Sequence, residues 1–129
     1  MLEQTVKELA EGKNFATVTS LAADGSPQTH VVWVDTDGEH LVFNTEVERQ
    51  KYKNLKRDPT VDVVVMDAED PYRYVEVRGR VVDEVRGEEA RAHLDELAQK
   101  YTGGPYRNPI GSERVLLKIV PDHQRAQAA

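Results

Sequence analysis

The chain has 129 residues, of which 31% are charged, with a net charge of -6 and no cysteine. It therefore has no thiol for a disulfide framework, a thiolate metal site or a cysteine nucleophile, and its acidity argues against nucleic-acid binding, which usually calls for a basic domain. This length fits a single domain over residues 1–129, large enough to bury about two-thirds of its unfolded surface. Met1-Leu2-Glu3-Gln4 carries charge where a signal peptide needs an apolar run, and no window approaches the roughly 18 apolar residues of a membrane span. The expectation is a cytoplasmic protein with no membrane partner.

Residues 4–11 read as a short lead-in helix. Residues 15–21 alternate as a strand; Asp24-Gly25-Ser26-Pro27 turns into a second strand over 28–34, and Asp37-Gly38 into a third over 39–44, which together predict an antiparallel meander. Thr45 and Glu48 stand at capping-box spacing before a second helix that Asp58-Pro59 ends. Residues 60–66 are β-branched and almost continuously apolar, as in a central strand covered on both faces. Residues 72–85 alternate as a long strand, with Gly79 marking a bulge or bend. Ala90, Leu94, Leu97, Ala98 and Tyr101 recur at helical spacing over 88–101, with glutamates in the first turn and Gly103-Gly104 as the stop. A last strand over 114–120 precedes Pro121 and a frayed tail over 122–129. The sum is a mainly β fold with flanking helices, a six-stranded antiparallel barrel.

The densest feature is the run over 49–57, where Arg49, Lys51, Lys53, Lys56 and Arg57 gather in an otherwise acidic chain. Such a cluster concentrates anions and can hold a phosphate through charge-assisted hydrogen bonds. With Thr45 as N-cap, Val47, Lys51 and Leu55 share one helix face, and Arg49, Lys53 and Lys56 the opposite one. Lys53 and Lys56 then read as a solvated face, whereas Lys51 on the apolar side needs an anion or a path to water. Glu46 and Glu48 in the first turn would repel a phosphate from the helix amides, so basic side chains are expected to hold it.

Other chemistries find no support. His30, His40, His93 and His123 lack metal-ligand spacing, and Asp67, Glu69 and Asp70 fit a solvated turn. No glycine-rich nucleotide loop and no Ser-His-Asp set is present. A chain without an evident nucleophile can still be an enzyme when a cofactor carries the chemistry.

Phe43-Asn44-Thr45 with Arg49-Gln50-Lys51, then Lys53-Asn54-Leu55-Lys56-Arg57-Asp58-Pro59, a Val-rich strand, and Asp70-Pro71-Tyr72-Arg73-Tyr74-Val75-Glu76-Val77-Arg78-Gly79 together resemble a known family. It is that of the split β-barrel flavin and deazaflavin oxidoreductases, relatives of pyridoxamine 5'-phosphate oxidase, and in particular the branch using coenzyme F-420. The resemblance implies an FMN-binding-type split barrel that forms a homodimer, with the cofactor in a groove between subunits. It implies that Arg49 and Lys51 grip the cofactor phosphate, that Gln50 belongs to the cofactor site, and that Asn44 and Thr45 lie beside the ribityl chain and phosphate. Val31, Val32 and Trp33 would face the ring, with Gln28 near the start of their strand, and the late loop carrying Tyr106 and Arg107, contributed by the partner subunit, would form a lid. Reduced F-420 would pass a hydride to an unsaturated or conjugated small-molecule substrate; FMN is the alternative cofactor, and a non-catalytic flavin-binding protein the alternative role. Lys53, Lys56 and Arg57 suit the anionic tail of F-420, and Tyr72 and Tyr74 are the candidate proton-donating phenols.

Overall fold

The computed structural model describes residues 1–127. The elements in chain order are α1 (Gln4–Glu11), β1 (Phe15–Leu21), β2 (Pro27–Trp33), β3 (Asp35–Thr36), β4 (Leu41–Glu46), α2 (Gln50–Arg57), β5 (Thr60–Met66), β6 (Tyr74–Arg86), α3 (Glu88–Thr102) and β7 (Arg114–Gln127). The strands form one antiparallel sheet in the order β2-β1-β5-β6-β7-β4-β3. There are thus seven strands in an open ladder rather than the expected six.

The expected meander divides at Val34. β1 and β2 pair as a hairpin, but β3 and β4 lie at the other edge of the sheet. A single residue joins one edge to the other, and consecutive Cα atoms are about 3.8 Å apart, so the sheet must curl until its edges meet. The backbone of Val34 cannot pair in either ladder, and α3 satisfies it instead. Its N–H donates to the Tyr101 hydroxyl at 3.1 Å and its carbonyl accepts from Lys100 Nζ at 2.6 Å. Lys100 also donates to the Ala10 carbonyl at 3.0 Å, so one side chain ties α1, the crossing and α3 together.

Alternation along the strands sends one face inward. Ala16, Val18, Val61, Val63, Val65, Val75, Val77, Leu117 and Ile119 are buried with Val6, Leu9 and Ala10 of α1 and Leu55 of α2. β5 alternates between buried and half-exposed positions, so its valine run is covered on one face only. Gly79 is a bulge, as expected: the register between β6 and β7 shifts there, and Gly79 faces Pro121 across the ladder. The tail is not frayed where it is described. Residues 122–127 continue β7 and pair with the start of β6, while 128 and 129 lie outside the described residues. Beyond Ile119 the strand has lost β4 as its second neighbour, so it is solvated and polar in sequence and carries no apolar alternation to read.

Behind α2, the fully buried Asn54 organises a polar knot. Its Nδ2 donates to Ser20 Oγ at 3.1 Å and to Gln28 Oε1 at 2.7 Å, and its Oδ1 accepts from Gln50 Nε2 at 2.9 Å. Arg57 closes the knot by donating to Asn54 Oδ1 at 3.2 Å and to the Leu21 carbonyl at 2.7 Å.

On the outer face of β5, Asp62 Oδ1 is buried without a hydrogen-bond partner. Burial and the neighbouring Glu76 carboxyl push its pKa up to about 6, against the opposing pull of Arg78. Since the folded pKa lies above the unfolded value, ionised Asp62 costs stability above pH 6, and that cost fades as pH falls toward the ordinary range of about 4. Asp62→Asn is therefore expected to raise the thermal midpoint at neutral pH by the equivalent of roughly 1 kcal/mol, after discounting for solvent screening, with no gain below about pH 4. Thermal melts of both proteins across this pH range check it.

Candidate functional site

A cleft of about 260 Å³ opens where the curled edges of the sheet meet α2 and α3. β1 and β2 supply Phe15, Val31, Val32 and Trp33, β4 supplies Asn44 and Thr45, and the start of α2 supplies its N-cap Arg49 and Lys51. Leu94 and Leu97 of α3, Tyr106 and Asn108 of the following loop, and Arg114 of β7 complete the wall. One side is apolar and aromatic, the other cationic, and no acid lines it.

The cationic side depends on β4 being longer than expected. Thr45 and Glu46 pair with Val115 and Arg114 and are both buried, so the chain cannot turn into a helix at Thr45 and the capping box does not form. Instead α2 begins at Gln50 with Arg49 as N-cap, and its first turn contains no acid. The expected repulsion by Glu46 and Glu48 is accordingly absent from the helix start. Glu46 is held by the late loop and two arginines: its Oε1 accepts from the Gly111 and Ser112 amides at 2.8 and 2.7 Å, and its Oε2 faces Arg114 at 3.4 Å and Arg49 at 3.6 Å. Burial pushes its pKa up, but the Ser112 and Gly111 hydrogen bonds and the charge of Arg114 outweigh this and hold it below the ordinary carboxylate range.

Arg114, only 9% exposed, is the residue that sequence reading missed. Its Nε donates to Asn44 Oδ1 at 2.8 Å, and its guanidinium lies 5.7 Å from the centre of the Tyr106 ring. Asn44 in turn donates to the Ala90 carbonyl at 2.8 Å and lies 3.2 Å from His93 Nδ1, so β4, α3 and β7 fix the guanidinium jointly. Lys51 is half-buried, and among the described residues nothing pairs with its ammonium. Burial, then the charges of Arg49 and Arg114, push its pKa down. His30 behind them is likewise held down, by burial and by Lys51 and Arg49. Arg49 and Arg114 thus share one carboxylate while Lys51 has none, and positive charge is left over beside an apolar slot, an arrangement that a bound anion would relieve.

The aromatic side is rigid. Trp33 stacks on Tyr101 at 5.2 Å with planes 4° apart, and Tyr106 meets it edge-on at 6.2 Å.

Of the residues singled out from sequence, Val31, Val32, Trp33, Asn44, Thr45, Arg49, Lys51 and Tyr106 meet in this cleft. Gln28 and Gln50 do not line it; they bind Asn54 behind α2. Arg107 lines an adjoining cleft instead. Tyr72 is 76% exposed on a loop, and Tyr74 is three strands from Trp33 along the row Trp33, Phe15, Met66, Tyr74, about 14 Å at ordinary strand spacing. Neither phenol lines the cleft. Lys56 pairs with Glu84 at 2.8 Å and Arg57 is held in the Asn54 knot, so neither is free to meet an anionic tail. No group of histidines and carboxylates with metal-binding geometry occurs among the described residues, and no helix among them is long and apolar enough to cross a membrane.

The family model described as pyridoxamine 5'-phosphate oxidase matches residues 2–128. A solved structure named F420 Reductase is 34% identical, with 97% of this chain and 98% of that one covered and a TM-score of 0.83. A conserved hypothetical protein from Mycobacterium tuberculosis is 25% identical, over 98% of this chain and 84% of that one, with a TM-score of 0.77. The General Stress Protein 26 from Bacillus anthracis, at 18% identity over 96% and 92% of the two chains, shares the fold with a TM-score of 0.73. No curated protein matches the sequence.

Proposed function

Because the chain belongs to the pyridoxamine 5'-phosphate oxidase family, we propose that it is an oxidoreductase that binds coenzyme F-420 in the cation cleft and reduces an unsaturated or conjugated small molecule. The observation that carries this reading is the unpaired, half-buried Lys51 beside Arg49 and Arg114, next to an apolar slot walled by Trp33 and Val32. A phosphate satisfies the three cations, and a flat ring system fills the slot. The F420 Reductase likeness favours the deazaflavin over FMN.

Bound reduced F-420 supplies a hydride. The chain binds, orients and shields. Arg49, Lys51 and Arg114 hold the phosphate; Asn44 keeps the Arg114 guanidinium turned toward the cleft; Val31, Val32 and Trp33 align the ring and keep water from it. Val31 is 69% exposed and Phe15 46%, and with Met66 they extend an apolar strip from the cleft mouth along the outer sheet. A second copy of the chain covers that strip and completes the groove.

Turnover tests the proposal. The parent protein is expected to oxidise reduced F-420 with quinone or nitroaromatic acceptors. Lys51→Ala, which removes a charge-assisted contact worth about 1.5 to 3 kcal/mol, weakens cofactor binding by roughly tenfold to a hundredfold. A variant that binds and reacts like the parent would remove Lys51 from the site. A parent that binds cofactor without turnover would make the protein a carrier.

A further inference from the structure

Beside the cation cleft lies a second one, of about 320 Å³, bounded by Trp33, Ala98, Thr102, Pro105, Tyr106 and Arg107. Trp33 and Tyr106 belong to both, so the pair forms a partition. The two rings are perpendicular, with centroids 6.2 Å apart, and Tyr101 backs the tryptophan. The corner between them is a preformed seat for a flat ring, which aromatic side chains favour in offset or edge-on contact. The volume is at the small end of the range for small-molecule sites, about 300 Å³ and above.

The polar side of this cleft is simple. α3 stops at Gly103, whose φ of 77° only glycine adopts readily, and the loop that follows brings Arg107 into the cleft wall. Arg107 is exposed and has no hydrogen-bond or ion-pair partner among the described residues, whereas Arg73, Arg80, Arg86 and Arg114 each hold a carboxylate. No acid lines the cleft. A guanidinium of this kind, at the edge of an aromatic seat, matches a planar carboxylate in fork geometry.

We propose that this second cleft binds a planar aromatic carboxylate, with its ring in the Trp33–Tyr106 corner and its carboxylate on Arg107. In the oxidoreductase reading, such a ligand lies behind the Trp33–Tyr106 partition, beyond the contact of about 3–3.5 Å that direct hydride transfer needs, so it is bound beside the cofactor cleft and is not reduced there. That meaning rests on the reading of the neighbouring cleft. Binding itself does not, and its test uses cofactor-free protein, so either can fail alone.

Trp33 is the chain's one tryptophan, so it gives a single indole N–H signal in the proton–nitrogen correlation spectrum of labelled protein. Titration of the cofactor-free protein with 2-naphthoate is expected to move that signal saturably. Arg107→Ala should weaken the binding about tenfold, Arg107→Lys should recover part of it, and uncharged 2-naphthalenemethanol should bind at least tenfold more weakly. Because Arg107 is exposed, the alanine variant keeps the parent's dispersed spectrum. Absence of a saturable shift overturns the proposal, as does an Arg107→Ala variant that binds like the parent, or equal binding of the alcohol. Loss of 2-naphthoate binding in Lys51→Ala but not in Arg107→Ala would also overturn it, by placing the carboxylate in the cation cleft.

Discussion

Glu46→Ala is expected to lower the free energy of unfolding by about 3–5 kcal/mol, the usual cost of removing one partner of a buried ion pair. The side chain is 6% exposed and neutralises Arg114, itself 9% exposed, while its other oxygen receives the Gly111 and Ser112 amides. Alanine leaves a buried guanidinium facing Lys51 and Arg49 and frees the end of the loop that carries Tyr106. The loss is pH-dependent. The folded pKa of Glu46 lies below its unfolded value, so its contribution is present above the ordinary glutamate range and disappears as pH falls through the folded pKa. Denaturant titrations at neutral and acidic pH should show parent and variant converging in acid. A Glu46→Leu, Arg114→Met double variant is expected to regain much of the stability, because an apolar pair of similar volume carries no desolvation cost, yet to bind phosphate-bearing ligands poorly. Full stability in the single variant would mean that the pair does not organise the cleft.

Gly79→Ala is the second large effect. A Cβ at this position would lie 2.0 Å from the Val120 carbonyl oxygen and 3.2 Å from Ile119 Cγ2. The first of these is backbone of the paired strand and cannot rotate away. The β6–β7 ladder is already displaced here by the bulge that carries Pro121, so relief requires the longest pair of strands to part. The expected destabilisation is about 3 kcal/mol, near the upper end for overpacking, or roughly a 10 °C fall in Tm. The cleft lies elsewhere, so cofactor affinity of the folded fraction should be preserved. A Tm within about 2 °C of the parent would contradict the close approach.

How far the sequence was readable follows from what each signal depends on. The helices α1 and α3 and the strands β1 and β5 lie where apolar period and turn residues put them, and of the bulge or bend that Gly79 signals the fold has the bulge, because these are local signals. The placement of β3 and β4 at the far edge was not readable. One residue, Val34, makes the crossing, and what allows it is the side chains of Tyr101 and Lys100, which lie 66 or 67 positions further along the chain. The helix start was misjudged for a related reason: Thr45 and Glu48 satisfy a local capping pattern, but pairing of β4 with β7 takes Thr45 into the sheet.

The site divides in the same way. Arg49, Lys51, Asn44, Thr45 and Trp33 were legible through the family resemblance and the cation cluster. Arg114 was not, since an arginine at the start of a strand is unremarkable until the register sets it beside Glu46 and Asn44. Gln28 and Gln50 carry no local sign that they serve a buried asparagine. The extra cations Lys56 and Arg57 look free in sequence and are committed in the fold.

The most direct test of the central claim, that Arg49, Lys51 and Arg114 form a phosphate site for a deazaflavin, is a fluorescence titration of cofactor-free protein with F-420 and with FMN, repeated on Lys51→Ala. Saturable binding of F-420, tighter than FMN and weakened at least tenfold by the substitution, is the predicted result. No saturable binding of either cofactor, or FMN bound tenfold more tightly than F-420, would contradict it.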